Sequence, residues 1–76
     1  MIDQPEVIER ARQAIAQRAS EVRKNRSDAS RWCPHSGAMS GYLDALRDNN
    51  LVSIEVLYQL KTEADKAVVA ALSADC

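Results

Sequence analysis

One short run, Trp32-Cys33-Pro34-His35, holds the only Trp, the only His and one of the two Cys residues of this 76-residue chain. Cys33 and His35, two positions apart, are ligand types for zinc, and Cys76 adds a third. A closed structural zinc site wants four ligands, and Asp75 is the sole further candidate. The same pair read as a nucleophile and its base needs an activated thiolate, an orienting group and oxyanion donors, none of which the sequence indicates. The reading is therefore a non-enzymatic chain with no metal, no cofactor and no catalytic residue. Two Cys are too few for a secreted disulfide framework, and a Cys33–Cys76 bond is not expected. Trp32 is then either a plug over the open end of a helical bundle or an anchor for a partner, since Trp and Arg dominate the energetic centres of interfaces.

The second group that could do work is cationic. The net charge is −1, so no global field draws the chain to nucleic acid or membrane. The distribution is uneven: residues 1–31 carry seven Arg or Lys against five acids, a net of +2, and residues 32–76 carry three against six, a net of −3. Residues 10–31 alone hold seven cations against Glu21 and Asp28. On a helical wheel Arg12 and Arg23 border one side of an apolar stripe, and Arg10 and Arg18 the other. Arg at a stripe's margin lays its methylenes over apolar neighbours and offers its guanidinium to acids on the next helix or on a partner. Arg12, Arg23, Arg26, Arg31 and Trp32 are read as a protein-binding patch suited to an acidic surface.

The elements that must position these groups are legible in period and composition. There are two Gly, two Pro and no Phe, a balance that favours long helices over a sheet. The fold is expected to be all-α, a three-helix hairpin or bundle of long, short and long helices forming a single domain. Asp3, Pro5 and Glu6 read as a helix start in which Asp3 caps the free amides and Glu6 reaches back. Ile8, Ala11, Ile15, Ala19 and Val22 then mark one apolar face to about residue 26. Residues 27–36 read as the irregular segment, because Pro34 disfavours helical geometry at Cys33 and Ser36 can cap the next helix. Helix two is expected over about 37–48, with Met39, Tyr42, Leu43 and Leu46 on one face. Gly41 weakens it or admits another backbone. Asp48-Asn49-Asn50 forms the second turn, and helix three runs from about 51 to 73.

Helix three carries Leu57, Leu60, Ala64, Ala67 and Ala71 at alternating three- and four-residue spacing, within a wider apolar arc that includes Ile54, Val56, Val68 and Leu72. A short helix two cannot cover a long helix three, so Leu57, Leu60, Ala64, Val68 and Ala71 are read as a self-association seam that completes the fold as a homodimer. Helix two, its turn and helix three have the outline of a helix-turn-helix, but the face that would read bases carries Glu55 and Glu63 and repels phosphate. No stretch is apolar enough to span a bilayer, and the first residues lack a signal region, so the chain reads as cytoplasmic. The expected function is that of a small helical regulator binding another protein as an inhibitor, adaptor or antiactivator. A chain of this size suits a phage- or plasmid-encoded inhibitor of a host protein. The alternative is a nucleic-acid-associated transcriptional regulator that uses the Arg-rich end of helix one.

Overall fold

A computed structural model describes residues 2–73. These form three helices, α1 over Pro5–Lys24, α2 over Ala29–Asp48 and α3 over Ile54–Leu72, each packed against the other two. All three run to 19 or 20 residues, about 30 Å at 1.5 Å per residue. The expected long-short-long order is therefore corrected: α2 begins at Ala29, and the segment expected to be irregular supplies its first two turns.

The reason lies in the position of Pro34. Proline in a helix removes the bond to the carbonyl four residues back and crowds that carbonyl. Here the carbonyl belongs to Ser30, in the exposed first turn of α2, where water can take the missing bond. Asp28 starts the helix ahead of the proline: its Oδ1 accepts from the Ser30 amide at 3.0 Å and from the Ser30 hydroxyl at 2.7 Å, and its carbonyl accepts from the Trp32 amide at 3.2 Å. A good cap is worth about 1 kcal/mol. Ser36, expected to cap helix two, is instead half-buried inside it.

The extra turns of α2 change what covers α3. Leu60 is 0% exposed, and Leu57, Ala64 and Ala71 are also buried, within the chain's own packing against α1 and α2. The residues expected to meet a second copy are thus core; Val68, half-buried, packs on its edge. With helix three covered in this way, the seam needs no second copy to complete it. Ala11 and Ile15 of α1, Met39, Leu43 and Leu46 of α2, and Val52 of the α2–α3 turn complete the central cluster, while Tyr42, expected on one face with Met39, Leu43 and Leu46, is 40% exposed at the α1–α2 edge.

The closed end of the bundle is locked by backbone bonds. Asn50 takes a left-handed conformation, φ 57°, and the Leu51 amide reaches back to the Leu46 carbonyl at 2.9 Å while the Asn50 amide reaches Arg47 at 3.0 Å. This is a Schellman stop, and it falls at the turn expected over Asp48-Asn49-Asn50. Asp3 behaves differently from expectation. The cap residue of α1 is Gln4, with no side-chain cap bond. Asp3, at φ 59°, donates its amide to the Leu51 carbonyl at 2.9 Å and accepts from the Ser53 amide on Oδ1 at 2.7 Å. It ties the start of α1 to the start of α3, fifty residues away.

Candidate functional site

The cations of residues 18–31 gather at the opposite end, where α1 stops and α2 starts. Asn25 closes α1: its side-chain amide donates to the Glu21 carbonyl at 2.8 Å. Arg26 donates to the Arg23 carbonyl at 3.1 Å, placing a cation against the negative end of the helix, where it is favoured. Arg31 approaches Asp28 at 3.5 Å and Lys24 approaches Glu21 at 3.5 Å, both in exposed pairs. Exposed pairs of this kind contribute between zero and about 1 kcal/mol. Arg23 is exposed and joins no ion pair among the described residues. Trp32 is half-buried in the second turn of α2.

Four of the five expected patch residues therefore share one pole of the molecule: Arg23, Arg26, Arg31 and Trp32. Arg12 does not join them. Its Nε donates to Glu63 Oε1 at 3.0 Å and its Nη2 to Glu63 Oε2 at 3.1 Å, a two-pronged pair that ties α1 to α3 and raises the Arg12 pKa above its ordinary value, first through the hydrogen bond and then through the charge of Glu63. Both prongs of the guanidinium fork are engaged inside the chain, which sets Arg12 apart from the four residues at the pole. A matching tie joins α2 to α3, Lys61 Nζ to Asp44 Oδ1 at 2.7 Å. The sequence signal for both is the position of Arg12 and Lys61 at the margins of apolar stripes. The acid that each meets is not readable from the chain.

Arg18, expected only to border the apolar stripe of α1, also belongs to this pole. Its Nη1 lies 3.0 Å from His35 Nδ1. Arginine only donates, so Nδ1 is the acceptor in this contact. Because residues 33–35 are helical, Cys33 and His35 project about 200° apart around α2. His35 turns to α1 and Cys33 to solvent as a free thiol, which separates the thiol from the imidazole and removes the geometry that a nucleophile pair or shared metal would need. Among the described residues no three His, Cys, Asp or Glu are grouped to hold a metal ion. Cys76 and Asp75 lie outside the described residues, and with them the expectation about a Cys33–Cys76 bond.

The pole thus offers charge, hydrogen-bond donors and one aromatic ring on a rigid base. It can hold carboxylates or phosphates, and the local ion pairs with Glu21 and Asp28 are weak enough to exchange for a partner's anions. No helix among the described residues is long and apolar enough to cross a membrane. Comparison with family models, with curated proteins and with solved structures finds no match to this chain.

Proposed function

We propose that this chain is a non-enzymatic helical regulator that binds a partner protein through its basic pole, acting as an inhibitor, adaptor or antiactivator. The observation that carries the reading is the arrangement at the α1–α2 junction: within residues 18–31, Arg18, Arg23, Lys24, Arg26 and Arg31 stand beside two acids, Glu21 and Asp28, with Trp32 half-buried next to Arg31. Arg and Trp are the types most enriched at energetic centres of protein interfaces, and an acidic surface would replace exposed local pairs that contribute little to the fold. The fold supplies support for this role, because the junction is anchored by Asp28, Asn25 and the Arg18–His35 contact.

The alternative reading, a nucleic-acid-associated transcriptional regulator, uses the same cations. Two features at the pole favour protein: Glu21 and Asp28 interrupt the positive field, and a single half-buried ring is a poor platform for stacking bases. The test is affinity capture from nuclease-treated lysate with the wild-type chain and with the Arg23→Glu/Arg31→Glu variant, both checked for helicity. A protein retained by the wild type and lost by the variant supports the proposal. Equal retention by both refutes the pole as the site. Binding abolished by nuclease, and falling steeply with salt as counterion release requires, moves the assignment to nucleic acid.

A further inference from the structure

The outward face of α3 takes no part in the fold, yet it carries large apolar side chains. Ile54, Tyr58 and Val69 are 51%, 64% and 63% exposed. At about 100° per residue, Ile54, Tyr58, Thr62, Asp65 and Val69 fall along one stripe. Glu55 and Lys66, both exposed, border that stripe on the side away from α2. Lys61, on its other border, is already held by Asp44.

We propose that this stripe is the contact between two copies of the chain, with their α3 helices antiparallel about a two-fold axis near residues 61 and 62. The pattern is self-complementary in that orientation. Setting Ile54 opposite the partner's Val69 also sets Tyr58 opposite the partner's Asp65, so each phenol hydroxyl gains a carboxylate to donate to. A two-fold axis of this kind keeps like flanks together, and Glu55 then meets the partner's Lys66 within about two residues, roughly 3 Å along the axis at the helical rise. Symmetry makes that pair twice. A parallel pair brings unlike flanks together, which leaves Glu55 and Lys66 on the far side of the seam from their copies and without this pairing, so the charges favour the antiparallel copy. Asp65 within the stripe and Glu55 on its border are unsuited to a lipid surface. The surface is distinct from the buried residues Leu57, Leu60, Ala64 and Ala71, which lie on the opposite side of α3. It is also distinct from the basic pole: an antiparallel dimer carries its two poles at opposite ends, facing away from each other, and so presents two binding sites.

Sedimentation equilibrium of the full chain, from about 1 to about 500 µM, tests the proposal. A reversible monomer–dimer equilibrium is expected. Glu55→Lys and Lys66→Glu should each weaken it roughly tenfold or more, because like charges then face each other in both symmetry-related pairs. The Glu55→Lys/Lys66→Glu double variant should restore dimerisation. A mixture of the two single variants should form a heterodimer more tightly than either self-associates, since both pairs then bring opposite charges together. Glu55, Tyr58 and Lys66 are exposed, so these variants keep the fold, which circular dichroism verifies; Tyr58→Asp supplies a second disruption independent of the charge pair. A monomer at all concentrations overturns the proposal. So does a dimer indifferent to Glu55→Lys, or one that the double swap leaves impaired. These outcomes are read without the partner captured by the basic pole, so the two proposals stand or fall separately.

Discussion

Replacing Gly37 and Gly41 by alanine should make this protein more stable. Both lie in the interior of α2, neither glycine adopts a positive φ, and a Cβ built at either meets no atom within 4 Å. Nothing in the fold therefore uses the missing side chain: no left-handed turn is needed, and no neighbouring backbone comes close. What remains is the intrinsic cost of glycine in a helix interior, about 0.8–1.0 kcal/mol relative to alanine. This arises from the freedom that glycine retains in the unfolded chain and from the backbone it exposes. Each substitution should thus add close to 1 kcal/mol, and the pair about 1.5–2 kcal/mol. A chain of this length has a total stability of about 4–11 kcal/mol, so the gain is a substantial fraction. At roughly 4–8 °C per kcal/mol for a small domain, the double variant should melt about 6–15 °C higher. Urea titration and thermal melts followed by far-UV circular dichroism give the answer directly, and an unchanged m-value with a raised midpoint identifies a change in stability alone. A midpoint that stays put or falls would refute the reasoning, because it would mean that a side chain on the outer face of α2 meets packing or strain there.

Three other outcomes are expected. Leu60→Ala, at a position with no exposure, should cost about 2–5 kcal/mol through lost burial and the cavity left behind, read by urea denaturation; a loss below about 1 kcal/mol would remove α3 from the core. Asp3→Ala deletes the acceptor of the Ser53 amide and should cost about 1–2 kcal/mol, as for loss of a good helix cap, with faster hydrogen exchange at Ser53 that a role confined to α1 would not produce. The Lys61 pKa is raised, chiefly by its hydrogen bond to Asp44. A raised folded-state pKa gives a contribution that is fully present below the unfolded lysine value and lost as pH rises through the folded value. Stability should therefore decline on the alkaline side of about pH 10, and Lys61→Met should remove that part of the decline, as followed by denaturation across pH.

Residues 27–36 show where local rules stop. Pro34 looks like a helix breaker when weighed as a proline in a helix centre, whereas here it costs one bond to Ser30, in an exposed turn already started by Asp28. The dimer expectation for Leu57, Leu60, Ala64 and Ala71 rests on that same weighting: a short helix two leaves helix three uncovered, and an uncovered helix three needs a second copy. With α2 at full length, those residues are covered from within. Of the large apolar side chains that do remain exposed, Ile54, Tyr58 and Val69, only Ile54 belongs to the expected apolar arc, because a helical wheel does not say which part of α3 the other two helices cover. The candidate site is more legible. Its cations are close together in the chain, so the helix end after Lys24 is enough to gather Arg23, Arg26 and Arg31 without any distant contact.

By itself the sequence determined what depends on neighbours within a turn or two: the all-α class, the apolar faces of α1 and α3, the turn at Asp48-Asn49-Asn50 and the clustering of cations at one junction. Only the tertiary structure decided which of two admissible roles each border residue took. Asp3 is spaced to cap its own helix but bonds Ser53, and Arg12 is placed to reach a partner but grips Glu63. The physical reason is that a carboxylate or a guanidinium will satisfy whichever complementary group lies within about 3 Å, and over a separation of fifty residues that proximity is set by how three helices pack.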